Sequence, residues 1–323
     1  MQFHFRTPVS LPKPFVELSP QTHCLFLGSC FADEVGQRLK RLGVSATINP
    51  VGTLYNMESI RLTVSRWNAA LRDTHSDDVG EPLSQMLYQG TEGLWHNHLQ
   101  DSSSDAKSLE ACSTISLQRD QEGIEALRKA RVLCVTLGTN HLYRHRATGM
   151  VVTNCHKQPQ SAFDEEVWNV AQIVDSWQKL LDELPAELQI VFTVSPYRYA
   201  KYGMHESQLS KATLLLAVAE LCQRDARCFY FPAYEIVLDE LRDYRFYAAD
   251  MLHVSPVAAD YIAEQFAACT FTQAMRDFSS DWKKLERRLA HRPKDATSAT
   301  WQQFAAETEE LRQELLRRRA SSD

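Results

Sequence analysis

Short continuous apolar runs alternate with segments of helical periodicity along most of this chain, and that alternation constrains its fold more than any other feature. Cys24-Leu25-Phe26-Leu27 leads into the turn Gly28-Ser29-Cys30. Phe31, Val35, Leu39 and Leu42 then recur at the spacing of one helix face until Gly43 stops the helix. A helix over Glu122 to Ala130 precedes the run Val132 to Leu137 and the polar turn Gly138-Thr139-Asn140. From Ser161, the pattern Val167, Val170, Ile173, Val174, Trp177, Leu180 and Leu181 predicts a long amphipathic helix. Leu188 to Val194 reads as the next buried strand, ended by Ser195-Pro196. A helix over roughly Glu206 to Arg224, a strand at Cys228 to Phe231, and helices from Pro232 to about Arg242 and from Pro256 to about Ala268 complete the series. Strands that alternate with helices of this length pair in parallel through right-handed crossovers. The expected class is therefore α/β, a three-layer α/β/α sandwich with a mainly parallel sheet.

Two stretches depart from this rhythm. Asp73 to Thr114 is polar, contains Ser102-Ser103-Ser104-Asp105, and shows neither helical periodicity nor a clean strand, so it reads as an insertion over the edge of the sheet. Beyond about Thr270, Leu285, Leu289, Trp301, Phe304, Leu311, Leu315 and Leu316 fall on two charged helices, a helical appendage to the core. Its closing Arg317-Arg318-Arg319 reads as a solvated, dipole-compensating helix end rather than a binding patch. The expected organisation is one catalytic domain over residues 1–270 with the insertion at about 73–114, and a helical extension over 271–323.

Acidic residues outnumber basic ones by 41 to 35 in 323 residues, a net charge of −6, which lacks the basic footprint of a general nucleic-acid binder. No apolar run approaches the roughly 20 residues that span a bilayer. Met1 to Pro14 carries no apolar signal-peptide core, so the expectation is a cytoplasmic protein without nucleic-acid or membrane partners. Eight cysteines without a C-x-x-C pair read as thiols, of which Cys30 and Cys155 lie in polar neighbourhoods.

In open parallel sheets functional groups gather at the carboxyl ends of the strands. Ser29 sits there on a strand-to-helix turn, where a hydroxyl can attack while its backbone N–H faces the oxygen that becomes negative. Asn140 offers an amide donor after a neighbouring strand. Asp250 and His253, three residues apart ahead of Ser255-Pro256, can pair so that the carboxylate holds the imidazole in the tautomer of a general base.

Phe26-Leu27-Gly28-Ser29-Cys30-Phe31-Ala32 resembles the signature of the GSCFA domain family, within the wider SGNH hydrolase group. Asn49-Pro50-Val51-Gly52-Thr53-Leu54-Tyr55-Asn56, Leu137-Gly138-Thr139-Asn140 and Asp250-Met251-Leu252-His253 resemble its later motifs, and the similarity runs from about Pro14 to His291-Arg292-Pro293. Met57 stands where the family repeats a proline, and His141 where many SGNH hydrolases carry an aspartate. The resemblance implies a flavodoxin-like sheet, Ser29 as nucleophile, His253 as base, Asp250 as its orienter, and an oxyanion hole of the Ser29 N–H, Gly52 and Asn140. It further implies an esterase acting on a carbohydrate or other small-molecule O-acyl ester through an acyl-enzyme, with no cofactor. An acyltransferase would use the same residues, and a non-catalytic ligand-binding protein on a hydrolase fold is the reading from a different class.

Cys30 is the rival nucleophile, because a thiol near a helix N-terminus can have its thiolate favoured. Serine is preferred because the family places it at the attacking position. Tyr197, Arg198, Tyr199, Lys201, Tyr202 and His205 follow a predicted strand end and could bind a sugar-like or anionic substrate, together with His141 and His156. His96, His98, His141, His145 and His156 read as histidines lining a polar cleft. No cysteine or carboxylate stands at a spacing that supports a zinc site, so no metal is expected.

Overall fold

In strand β1 (His23–Gly28) every residue from Cys24 to Gly28 is buried, as the unbroken apolar run requires of a strand covered on both faces. A computed structural model describes the chain over residues 6–12, 16–72, 83–293, 295 and 297–320, so residues 73–82 of the polar insertion and 321–323 of the extension lie outside the described residues. From β1 the chain turns at Ser29 into helix α1 (Cys30–Arg41), and β2 (Ser45–Ile48) and α2 (Met57–Arg72) follow. A single helical turn, α3 (Leu83–Met86), opens a hairpin of β3 (Leu87–Gln89) and β4 (Trp95–Asn97). Helix α4 (Leu109–Lys129) then returns to the sheet at β5 (Val132–Leu137). Next come β6 (His141–His145), β7 (Val151–Val152) and β8 (Phe163–Val167), then α5 (Val170–Glu183), β9 (Gln189–Val194), α6 (Met204–Arg224) and β10 (Cys228–Tyr230). A short turn, α7 (Ala233–Glu235), runs into one π-helical turn over Ile236–Glu240. Helices α8 (Pro256–Thr270), α9 (Gln273–Ala290) and α10 (Ala299–Ala320) follow.

The main sheet has the order β10-β9-β5-β1-β2, parallel throughout. Counting only its own strands, this is the doubly wound order 2-1-3-4-5, whose direction reverses between β1 and β5. Side chains alternate across it. Leu25, Leu27, Leu133, Val135, Ile190 and Phe192 join one core with Trp67 of α2, Leu127 of α4, Trp177 of α5 and Val218 of α6. Cys24, Phe26, Val132, Cys134 and Val191 join the other with Phe31 and Leu39 of α1, Phe266 of α8 and Phe278 of α9. Each such large side chain contributes roughly 1.5–3 kcal/mol on burial, so both helical layers are held to the sheet by apolar packing. The fold is α/β, a parallel five-stranded sheet with helices on both faces.

Several elements differ from the sequence reading. Helix α4 starts at Leu109 under an N-cap from Ser108, inside the segment read as unstructured insertion. Its buried face is small and polar: Cys112, Ser116, Asp120 and Gly123 stand where a periodic pattern needs leucines. Asp120 accepts from Arg66 Nη2 at 3.1 Å and Trp67 Nε1 at 3.0 Å. The helix expected from Ser161 begins only at Val170, capped by the reciprocal Asn169–Gln172 box, and residues 163–167 instead form β8 of a small antiparallel sheet with β6 and β7. Strand β2 and the β3–β4 hairpin carried no legible pattern.

The arginine triplet is not a simple solvated end. Arg319 donates to Gly43 O at 2.7 Å with its guanidinium 4.3 Å from the centre of the Trp282 ring, and Arg318 pairs with Asp281 at 2.9 Å. Two of the three arginines therefore fasten α10 to α9 and to the end of α1.

Candidate functional site

The reversal of the sheet between β1 and β5 opens a crevice at their carboxyl ends, and the Ser29 turn stands there. Gly28 has φ +139°, and a Cβ on it would lie 2.2 Å from Thr136 O of β5, so only glycine lets the chain turn this close to its neighbour. Asn49 fixes the turn from the other side. Its Oδ1 accepts from Gly28 N–H at 2.9 Å and its Nδ2 donates to Asp33 of α1 at 3.0 Å. Ser29 occupies the N-cap position of α1, yet its side chain caps nothing. The hydroxyl is buried without a hydrogen-bond partner among the described residues, so the structural role usually expected of a serine at this position is not the one it plays.

A cleft of about 430 Å³ runs past this turn, lined by Ser29, Cys30, Asn154, Tyr197, Lys201 and His253 among others. His253 Nδ1 lies 2.5 Å from Asp250 Oδ2, while Asp250 Oδ1 accepts the backbone N–H groups of Leu252 and His253 at 2.9 and 3.0 Å. These bonds, the imidazole's first, pull the Asp250 carboxyl down to about 2. The carboxylate is thus ionised and needs a donor, which puts the ring proton on Nδ1 and leaves Nε2 as the basic nitrogen. Both side chains are nearly half exposed, at 48% and 44%, so the pair orients the ring more than it stabilises the fold.

The chain matches the GSCFA family over residues 23–266. It belongs to that family. No curated protein matches it. The GSCFA match runs from the first residue of β1 into α8 and so contains Ser29, Asp250 and His253, while α9 and α10 lie beyond it.

Within this GSCFA chain the three groups expected to form an oxyanion hole are engaged elsewhere. Ser29 N–H donates to Thr136 O at 3.4 Å, continuing the β1–β5 ladder. Gly52 N–H donates to Asn49 O at 2.8 Å. Asn140 Nδ2 donates to Trp168 O at 2.8 Å, and neither Gly52 nor Asn140 lines the cleft. Gly52 has a different use: at φ +85°, a Cβ would fall on the Asp101 carboxyl at 1.9 Å, so the glycine admits the aspartate that accepts from Thr53 N–H at 3.3 Å.

The expected substrate-binding residues separate into two groups. Tyr197 and His141 line the cleft, and the Tyr197 ring lies 4.4 Å from that of His253. His141 stacks on Tyr202 at 4.1 Å and bonds Glu165 at 2.8 Å, so Tyr202 backs the wall that His141 presents. Tyr143, Tyr199 and Lys201 complete that wall, with Lys201 Nζ donating to Tyr143 OH at 2.5 Å. Arg198 lies outside the lining. It donates to Met251 O at 3.1 Å and braces the turn between Asp250 and His253. His205 is exposed at the start of α6, and His156 is buried away from the cleft.

Cys30 is half-buried and faces the cleft, but burial and the carboxylates of Asp33 and Glu34 push its thiol up, against the thiolate that a helix N-terminus alone would favour. Cys155 lines the cleft with Thr153 and Asn154, and sequence reasoning missed the latter two because their loop has no periodicity and reaches the site only by folding back. The histidines expected around a polar cleft are mostly elsewhere. His96, His98 and His156 are buried beside Tyr88, and burial together with His145 lowers His98 to about 3, so it is neutral.

Lys211 of α6 carries no signal in the sequence. It is 2% exposed, its Nζ donates to Gly138 O at 2.5 Å, and burial lowers its pKa to about 7. A lysine that titrates near 10.4 when unfolded and near 7 when folded leaves the unfolded state holding the extra proton between those values. Stability therefore rises with pH across that window. Relative to Lys211→Met, the wild type is expected to gain up to about 4 kcal/mol between pH 7 and pH 10. Denaturant unfolding at both pH values reads it, and a pH-independent difference would refute it.

Proposed function

We propose that this chain is a serine esterase acting on O-acyl substrates. The observation that carries the reading is one cleft lined by both Ser29, whose hydroxyl is uncommitted, and His253, whose Nδ1 is committed to Asp250. Ser29 Oγ attacks the ester carbonyl carbon, and His253 Nε2 takes the hydroxyl proton. The same nitrogen returns that proton to the departing alkoxide as the carbon–oxygen bond breaks. Water then attacks the acyl-enzyme by the reverse sequence and releases the acid. No hydrogen bond joins Ser29 to His253 in the free protein. Catalytic contacts of this kind commonly close only once substrate is present.

Since the expected backbone and amide donors are engaged, negative charge on the carbonyl oxygen falls to other groups in the cleft, among which Lys201 carries a positive charge. The wall of Tyr143, Tyr197 and Tyr199 offers ring faces and hydroxyls, which suits a carbohydrate or similar hydroxyl-bearing ester.

Treating the protein with a fluorophosphonate and locating the adduct by peptide mass spectrometry tests the assignment. The adduct is expected on Ser29; an adduct on Cys30, or none, contradicts it. Asp250→Asn is expected to lower ester turnover by roughly 10²–10⁴-fold through the wrong imidazole tautomer. Full activity in that variant would remove Asp250 from the mechanism.

A further inference from the structure

A second cluster lies away from the serine, where the β3–β4 hairpin meets the turn after residues 102–104 and the loop after β7. His96 Nδ1 and His156 Nδ1 stand 2.9 and 3.0 Å from the same oxygen, Asp105 Oδ1, and the three atoms fall within 4.8 Å of one another. Despite these distances all three are buried without a hydrogen-bond partner among the described residues. The imidazole side chains are essentially inaccessible, at 1% and 0% exposure.

The inner contacts are short but not directed as hydrogen bonds, and the outer ring nitrogens show where each proton sits. His96 Nε2 lies 2.7 Å from Glu92 Oε1, and His156 Nε2 donates to Asn97 O at 3.1 Å. A carboxylate and a carbonyl only accept, so each ring carries a proton on Nε2; at His96 the Gln158 amide nitrogen also lies 3.4 Å away, a longer contact than that to Glu92. Each Nδ1 then presents a bare lone pair beside a carboxylate oxygen that lies off the axis of that lone pair. Three acceptors converge with no donor between them, an arrangement that repels unless a cation sits among them. An imidazole whose outer N–H bonds a carboxylate or a backbone carbonyl while the inner nitrogen faces its partners is also how proteins orient metal-binding histidines. The spacing is close to what an ion needs, because two ligand atoms about 2.1 Å from it lie roughly 3.0 Å apart at right angles and roughly 3.4 Å apart at the tetrahedral angle zinc prefers.

We infer that His96, Asp105 and His156 form a site for a divalent transition-metal ion of the kind that takes imidazole and carboxylate ligands, with zinc as the representative. The ion ties the β3–β4 hairpin and the turn that closely follows it to the loop after β7, which is distant in sequence. That loop brings Thr153, Asn154 and Cys155 to the cleft, where Thr153 N–H already donates to His98 O at 2.8 Å. The site is independent of the Ser29 chemistry.

The purified full chain, stripped with a chelator and titrated with Zn²⁺ alone, is expected to bind one equivalent. Its thermal midpoint should rise by roughly 5 °C in excess zinc. Asp105→Asn is expected to weaken binding by 100-fold or more, and Glu92→Gln, which leaves the three ligands in place, by about 10-fold. Visible absorption of the Co²⁺-loaded protein reports the same ligand set independently of stability, and its bands should vanish in Asp105→Asn. If that variant does not fold, Glu92→Gln and the wild-type stoichiometry decide. Less than about 0.2 equivalents of Zn²⁺, Co²⁺ or Mn²⁺ bound by the wild type overturns the inference, as does undiminished affinity in both variants.

Discussion

Replacing Ser29 by alanine is expected to lower ester turnover by roughly 10⁴-fold or more, while the unfolding free energy stays within about 1 kcal/mol of wild type. The two halves of this expectation come from the same observation. The Ser29 hydroxyl is buried at the N-cap of α1 and makes no hydrogen bond among the described residues, so the fold loses nothing when it is removed. An unsatisfied buried hydroxyl costs free energy, and its deletion is neutral or mildly stabilising. The reaction loses the atom that forms the acyl-enzyme and keeps only what the cleft supplies by binding and positioning. Cys30→Ala is the paired measurement, because Cys30 opens on the same cleft one residue away. Its thiol is pushed up by burial and by Asp33, so turnover should stay within a few-fold of wild type. Turnover kinetics and denaturant titrations on both variants separate the possibilities. Loss in Cys30→Ala with retention in Ser29→Ala would move the nucleophile by one position.

Gly28→Ala is expected to destabilise the protein by about 3–5 kcal/mol, the largest single-residue effect on stability that this site predicts. Two independent costs add. An alanine held at φ +139° is in a region that side chains rarely enter, and its Cβ would stand 2.2 Å from a backbone oxygen of β5. That oxygen belongs to Thr136 inside the central ladder, so relief means parting β1 from β5 rather than turning a side chain. Ser29 moves with the strand end, and activity should fall along with stability. A guanidinium titration reads the effect as a lower midpoint with an unchanged slope. A loss below about 1 kcal/mol would show that the turn has a conformation that tolerates a side chain.

Much of the layered fold is legible from one-dimensional pattern. Runs such as Val132–Leu137 and Leu188–Val194 are buried on both faces, and the spacings of α1 and α5 place apolar residues on the sheet side. The pattern fails where burial is achieved by other means. Helix α4 hides an aspartate paired with Arg66 and a glycine that Trp67 packs against, and neither registers as hydrophobic periodicity. Strand β8 carries Asp164, Glu165 and Glu166, whose pairing with Arg144, Arg146 and His141 across the ribbon is a long-range fact. Of the site, the Asp250–His253 pair could be read because its members are three residues apart and bond within one turn.

The sequence by itself determined the class of the fold, the turn that carries Ser29 and the carboxylate–imidazole pair, because each depends on residues adjacent in the chain or on a short period. Tertiary structure alone decided which donors are free. The N–H groups of Ser29 and Gly52 and the amide of Asn140 are all present in the sequence, yet the sheet, a tight turn and Trp168 use them. It also brought His96, Asp105 and His156 onto one point across a separation that no spacing rule connects. A hydrogen bond or a lone pair is spent by whichever partner the folded chain brings within about 3 Å, and that choice is made in space rather than along the sequence.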